Sequence, residues 1–139
     1  MSILAVMEQR GGSWNRMSFE ALSAAQQLAA ELGTTAGAAV LGQDIGALAT
    51  ELASKQLATV YAVQHELLKD YTPDAYATAL RQLVAQAQPQ AVLFPHTYQV
   101  RDFLPKLATS LGKVAVSDVV AHRIDRGQVV LVRQLSRAR

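Results

Sequence analysis

Short apolar runs alternate with longer amphipathic stretches along most of this chain. Four runs carry apolar residues at successive positions and end at glycine, proline or polar residues: 2–7, 36–41, 57–63 and 91–94. Runs of this length without a helical period are typical of buried strands. Stretches with helical spacing follow them, and a fifth apolar run begins at 114–116. This alternation predicts a parallel sheet with helices on both faces.

Cap and turn residues mark where the predicted helices begin and end. Ser, Thr and Asp favour helix N-caps, proline favours the first helical position, and glycine favours the position after the last turn. The predicted helices span 18–32, about 44–54, 72–88 and 100–111, with Ser18, Asp44 and Thr72 as N-caps and Gly33 and Gly112 as C-terminal glycines.

The alternation ends near the C-terminus. Residues 119–124 and 128–134 flank Asp125-Arg126-Gly127, which favours a hairpin turn because glycine accepts positive φ. Polar residues between the apolar ones indicate a hairpin with one solvated face. We therefore predict one α/β domain with a mostly parallel sheet and a C-terminal antiparallel hairpin. Its 139 residues are close to the commonest domain size.

Composition narrows the classes of function. The chain has no cysteine, which excludes disulfides, thiolate metal sites and a cysteine nucleophile. The net charge of +2, with both signs interspersed, does not indicate nucleic-acid binding. No apolar run approaches the roughly 20 residues that span a bilayer, and the N-terminal run is too short for a signal peptide. We expect a soluble, cytoplasmic domain that binds neither nucleic acid nor membrane.

Candidate chemistry lies in the loops after the predicted strands, because open parallel sheets bind ligands beyond the carboxyl ends of their strands. These loops are 8–17, 42–44, 64–71 and 95–99. Gly11-Gly12 is not followed by a Gly-Lys-Ser/Thr sequence, so a simple turn is favoured over a phosphate-binding loop. Trp14 in a polar loop either marks an interface or folds back over the sheet edge.

Acid–base candidates are isolated. The histidines lie in separate segments without metal-ligand spacing: His65, His96 and His122. A small enzyme could use His96 with Asp102 or Asp118, but a lone histidine after a strand is more often a hydrogen-bonding loop residue. Asp102 near a helix start is explained by the helix dipole, and Ser117 beside Asp118 lacks a GxSxG elbow. We predict no catalytic, cofactor-binding or metal-binding residues.

Several segments occur in an order that carries family information. They are ILAVMEQRGG at the start, a long helix from Ser18, AVLFPHTYQVRDFLPKLATSLG with its Leu104-Pro105 pair, then VSDVVAHRI and VVLVRQ. Together they resemble the N-terminal domain of the electron transfer flavoprotein alpha subunit, including its nitrogen-fixation relatives. The resemblance implies a Rossmann-like, three-layer domain of the adenine-nucleotide alpha-hydrolase type, paired with a beta subunit. It also implies that the intact heterodimer carries electrons on FAD from dehydrogenases to an acceptor.

The resemblance implies which cofactors this chain does not hold. In the family the flavin lies mainly in a C-terminal domain of the alpha subunit, which we expect this chain to lack, and AMP belongs to the beta subunit. We therefore expect a non-catalytic scaffold that binds the beta subunit but no FAD of its own. The loop from Pro95 to Gln99 is then a strand-to-helix connection, and Pro105 is expected to kink or shorten the helix that follows.

Isolated chains should self-associate through the C-terminal hairpin, because the family's sheet continues beyond VVLVRQ and 129–132 would lie at an unpaired strand edge.

The alternative function is a free-standing nucleotide-binding module of the universal-stress-protein type. That function would need a glycine-rich phosphate loop after the fourth strand, where Pro95-His96-Thr97 stands instead.

Overall fold

The computed structural model describes residues 2–111, 115–117 and 130–134 and has an α/β architecture. Within these residues the main sheet has six strands, β1 (Ser2–Met7), β4 (Thr35–Gly42), β5 (Thr59–Gln64), β6 (Ala91–Leu93), β7 (Ala115–Ser117) and β8 (Val130–Gln134). A separate antiparallel pair consists of β2 (Gln9–Arg10) and β3 (Ser13–Trp14). The helices are α1 (Met17–Leu32), α2 (Gly46–Ala53), α3 (Pro73–Ala87) and α4 (Tyr98–Leu111), with a short 3-10 helix at Glu66–Leu68. The predicted α/β class with a mostly parallel sheet is confirmed.

The strand order creates a crevice at the centre of the sheet. Neighbouring strands follow the order β5-β4-β1-β6-β8-β7, and each neighbouring pair is parallel. The chain first extends from β1 to β5 and then returns to the other side of β1 with β6. Because the order reverses between β1 and β6, the loops after these two strands diverge and leave space between them.

Alternate side chains of the strands form two cores, since successive residues of a strand face opposite sides. On β1, Leu4 and Val6 join the core beneath α3 and α4, whereas Ile3, Ala5 and Met7 join the core beneath α1 and α2. All five are almost fully buried. The sheet is therefore covered on both faces, as the three-layer prediction requires.

Two of the predicted N-caps are wrong. Ser18 lies inside α1, where its hydroxyl bonds to the backbone of Glu8 instead of the helix N-terminus. Asp44 adopts a left-handed backbone (φ 57) two residues before α2 and does not cap it. Thr72 does cap α3, and Gly33 (φ 69) ends α1 in the left-handed conformation that favours glycine. The first failure has a tertiary cause, because the Glu8 backbone occupies the Ser18 hydroxyl.

Helix α4 is longer than predicted. It begins at Tyr98 and continues through Pro105 to Leu111. Proline has no N–H, so the Arg101 carbonyl has no helical hydrogen-bond partner at position 105. Pro105 and Arg101 are both exposed, so this carbonyl can bond to water instead. Pro105 was expected to kink or shorten the helix; the shortening is wrong, and the kink stays a prediction.

The C-terminal strand pairs differently from the prediction. β8 lies between β6 and β7 and is parallel to both. A strand has two edges, and here both edges of β8 are occupied, so the antiparallel pairing expected for it is wrong. The first hairpin strand and its turn, at 119–127, lie outside the described residues. Self-association through an open edge at 129–132 loses its basis, because Val130–Val132 are inside the sheet.

Candidate functional site

A crevice of about 510 Å³ opens where the strand order reverses. Its walls come from the end of β1, the β2–β3 hairpin, the start of α1 and the loop between β6 and α4. Two of the four loops chosen from the sequence, 8–17 and 95–99, therefore meet at one place. This is the usual position of a ligand in an open parallel sheet.

Glu8 connects the segments around the crevice. Its carboxylate Oε1 accepts a hydrogen bond from Thr97 Oγ1 at 2.6 Å, and Oε2 accepts one from Asn15 Nδ2 at 3.4 Å. Its backbone N–H donates to Ser18 Oγ at 2.7 Å, and that hydroxyl donates to the Glu8 carbonyl at 3.2 Å. One residue at the end of β1 thus holds the first turn of α1 and the loop before α4.

Thr97 places the Glu8 carboxylate beside the start of α4. The Thr97 hydroxyl oxygen accepts the backbone N–H of Val100 at 3.1 Å, which is the geometry of an N-cap. The same hydroxyl donates its proton to Glu8. Because a helix N-terminus attracts negative charge, the protein's own carboxylate is favourably placed here. An external phosphate in the crevice would meet that carboxylate.

The glycine pair after β2 is a structural turn. Gly11 (φ 59) and Gly12 (φ 85) connect β2 to β3, and a two-residue hairpin turn with positive φ at both positions favours glycine. Gln9 anchors this hairpin, since its side-chain Nε2 donates to the Leu41 carbonyl at 3.1 Å. The interpretation of Gly11-Gly12 as turn residues is confirmed.

Trp14 folds back over the protein. Its ring contacts Phe19 edge-to-face with centroids 6.1 Å apart, and its Nε1 donates to Glu51 Oε1 at 3.0 Å. The side chain is half-buried against the core beneath α1 and α2. Of the two interpretations left open by the sequence, the structure supports the packing role.

The histidine candidates do not form a catalytic pair within the described residues. His96 lines the crevice, and its Nδ1 is buried without a hydrogen-bond partner there. Asp102 lies in the second turn of α4, not the first, and accepts a hydrogen bond from Tyr71 Oη at 2.7 Å. His65 Nδ1 accepts the N–H of Leu67 and so caps the 3-10 helix. Each of these side chains has its own local environment.

The remaining acid–base candidates cannot be placed in a site. His122 and Asp118 lie outside the described residues, and Ser117 is described only as the last residue of β7. Among the residues with described side chains, no three His, Asp or Glu come close enough together to hold a metal ion. Within the same part of the chain, none of the helices has the length and apolar character needed to cross a membrane.

An aromatic cluster lies near the start of α4, where Tyr71 Oη donates to the Gln99 carbonyl at 3.3 Å. Tyr71 contacts Tyr76 at 5.0 Å and Phe103 at 6.4 Å between ring centroids. Burial raises the pKa of Tyr71, and the hydrogen bond to Asp102 raises it further. Burial also raises the pKa of Tyr76, with a smaller contribution from the charge of Glu8. Both phenols are therefore held in their neutral forms.

The electron transfer flavoprotein domain family matches residues 3–138. This chain belongs to the electron transfer flavoprotein family. It is 32% identical over 129 residues to the electron transfer flavoprotein subunit alpha of Syntrophomonas wolfei, covering 93% of this chain and 39% of the relative. The corresponding Bacillus subtilis subunit is 29% identical over 133 residues, covering 96% of this chain and 40% of the relative.

A relative with a different name matches at a similar level. The acryloyl-CoA reductase electron transfer subunit beta of Anaerotignum propionicum is 32% identical over 123 residues, covering 88% of this chain and 34% of the relative. The resemblance to the alpha subunit is confirmed. The chain spans about two fifths of the length of the first relatives it matches.

For this electron transfer flavoprotein family member, the sequence identified the right loops but not the residues that organise them. Glu8 stands at the boundary of a predicted loop, and the sequence pattern assigns it no role. The pattern does not predict Thr97 as a cap, because it places the start of α4 at residue 100. The available signal was the preference of threonine for N-caps, together with the position of Glu8 directly after a central strand.

Proposed function

We propose that this chain is the N-terminal domain of an electron transfer flavoprotein alpha subunit, with one domain across residues 1–139. The observation that carries the proposal is the family match over residues 3–138, supported by relatives named as alpha subunits. In this proposal the chain is a non-catalytic, cytoplasmic scaffold that binds the beta subunit. The intact heterodimer carries electrons on FAD from dehydrogenases to an acceptor.

The geometry of the crevice favours a scaffold role for this chain rather than a nucleotide-binding role. The Glu8 carboxylate, fixed by Thr97 and Asn15, lies at the position where a nucleotide phosphate would approach α4. Two like unit charges 4 Å apart repel by about 4 kcal/mol at an effective dielectric constant of about 20. A repulsion of this size lowers affinity by about a thousandfold. We therefore propose that FAD belongs to the full-length protein and that this chain binds neither FAD nor AMP.

Two measurements test the proposal. The chain is mixed with a purified electron transfer flavoprotein beta subunit and examined by size-exclusion chromatography with light scattering. We expect a one-to-one complex, and failure of the two chains to associate would contradict the partner-binding role.

The second measurement is calorimetric titration of the chain alone with FAD and with AMP. No binding is expected for either ligand. Stoichiometric AMP binding that the variant Glu8→Gln does not strengthen would instead support the free-standing nucleotide-binding module. The Glu8→Gln variant is the matched control because it keeps the side-chain shape and removes the charge.

A further inference from the structure

The two outer strands of the sheet differ in their protection against further pairing. β7 has three residues, and its register with β8 shifts between Val116 and Ser117. Short length and register irregularity both hinder the addition of another strand. β5 has six residues in continuous register with β4, which is its single partner in the described part of the chain. β5 is therefore the less protected edge.

The sequence of β5 adds none of the usual protection. Thr59–Gln64, TVYAVQ, contains no charged residue and no proline. Natural edge strands commonly use lysine, proline or a bulge to prevent pairing with another chain. Ala62 and Gln64 are exposed, and Val60, Tyr61 and Val63 are half-buried. The edge is thus both accessible and composed of residues that favour strands.

Among the described residues, the backbone of β5 has hydrogen-bonding groups without a strand partner at alternate positions. His65, directly after the strand, donates its N–H to the Gly42 carbonyl of β4 at 3.1 Å. Because backbone groups alternate in direction along a strand, those of Gln64, Ala62 and Val60 point away from β4. Three successive outward-facing positions are therefore available to another strand.

We propose that β5 is a self-association edge, to which a second copy of this chain adds its own β5 in the antiparallel direction. The two-fold axis passes beside Ala62, so that Ala62 faces its counterpart and Val60 faces Gln64. In this register every outward-facing backbone group of β5 pairs, and Tyr61 lies opposite Val63 of the second copy. Aromatic and β-branched residues opposite each other stabilise antiparallel pairs.

The register also explains why the occupant is a second copy. The strand is uncharged, so self-pairing places no like charges opposite each other within it. The residue at the axis, Ala62, has a small exposed side chain that allows close approach. In the sheet order β5 lies four strands away from β8, the strand that the sequence predicts as the self-association edge. It is also separate from the crevice, so the inference does not depend on the proposed electron-transfer role.

A disulfide test uses the absence of cysteine from the natural chain. Residues opposite each other in a hydrogen-bonded antiparallel pair have Cα atoms about 5.5 Å apart, which a disulfide can span. The variant Ala62→Cys should form a covalent dimer on mild oxidation. Ala85→Cys, at an exposed position of α3, is the matched control and should form at least about tenfold less dimer at equal concentration and time. Non-reducing electrophoresis and mass spectrometry measure the yield.

Sedimentation supplies an independent readout without oxidation. The natural chain should show a mass that rises from monomer towards dimer with concentration, and Ala85→Lys should behave in the same way. Ala62→Lys places two positive charges at the axis and should remain monomeric, with an unchanged far-ultraviolet circular dichroism spectrum as evidence of folding. A natural chain that stays monomeric at millimolar concentration would overturn the proposal. Dimerisation unaffected by Ala62→Lys, or equal cross-linking at positions 62 and 85, would also overturn it.

Discussion

Replacing Thr97 by valine tests whether the Glu8–Thr97 contact organises the crevice. Valine keeps the shape of the side chain and removes the hydroxyl, which donates to Glu8 at 2.6 Å and accepts the Val100 N–H at 3.1 Å. Thr97 is 7% exposed, so water has little access to replace these two bonds. The substitution therefore removes a helix cap and a charge-assisted hydrogen bond together.

The magnitude follows from these two losses. Loss of an N-cap costs about 1 kcal/mol, and loss of a hydrogen bond to a charged group costs about 1.5–3 kcal/mol. Glu8 is half-buried and retains Asn15, so water and that amide recover part of the second loss. We expect Thr97→Val to lower the free energy of unfolding by about 2–3 kcal/mol, against a total of about 5–15 kcal/mol for an ordinary domain.

Urea unfolding followed by circular dichroism measures this difference, and an unchanged m value shows that the same surface unfolds. Thr97→Ser keeps the hydroxyl and is the control, with an expected loss below about 1 kcal/mol. A double-mutant cycle with Glu8→Gln should give a coupling energy of about 0.5–3 kcal/mol. The reasoning is refuted if Thr97→Val unfolds within about 0.5 kcal/mol of the natural chain or if the coupling is zero.

Three further predictions concern packing, backbone and pH. Phe103→Ala should lower the free energy of unfolding by about 3–5 kcal/mol, because Phe103 is 1% exposed and its ring contacts three other aromatic rings; a loss below about 1 kcal/mol in urea unfolding would contradict this. Gly33→Ala should lower the free energy of unfolding by about 1–2 kcal/mol, because φ is +69 there. The control Gly46→Ala places its methyl group in open space and should raise the free energy of unfolding by about 0.4–1 kcal/mol, so the two variants should shift the thermal unfolding midpoint in opposite directions. Folding raises the pKa of Tyr71, so above its ordinary value of 10.0 the unfolded chain loses this proton first and stability falls as pH rises. Tyr71→Phe should flatten that fall in urea midpoints measured between about pH 9 and pH 11, and an identical slope would refute the assignment.

Local sequence preference predicted the parts of the fold that depend on local chemistry. The apolar run at Ser2–Met7 has the predicted bounds, and Thr72-Pro73 starts a helix as expected. Ser18 was misassigned because its partner, the Glu8 backbone, competes with the helix N-terminus for the hydroxyl. Local preference ranks candidates for a cap but does not include tertiary competitors.

The candidate site required information that no short segment contains. The strand-end rule chose the loops around Glu8 and Thr97, yet these residues are 89 positions apart in the chain. Their hydrogen bond exists because β1 and β6 are neighbours in the sheet. The predicted pairing of β8 is wrong for the same reason. A hairpin prediction considers only segments that are adjacent in the sequence, whereas β8 inserts between β6 and β7.

The position of β8 has a consequence for the order in which the protein assembles. In the described part of the chain, β7 joins the sheet through β8 alone, although β7 comes first in the sequence. During synthesis, Ala115–Ser117 therefore leave the ribosome before β8, the strand with which they pair. We expect β7 and β8 to join β6 late, after the N-terminal strands have become available for pairing. Their amide hydrogens should accordingly gain protection from exchange together, and later than those of β1 and β4.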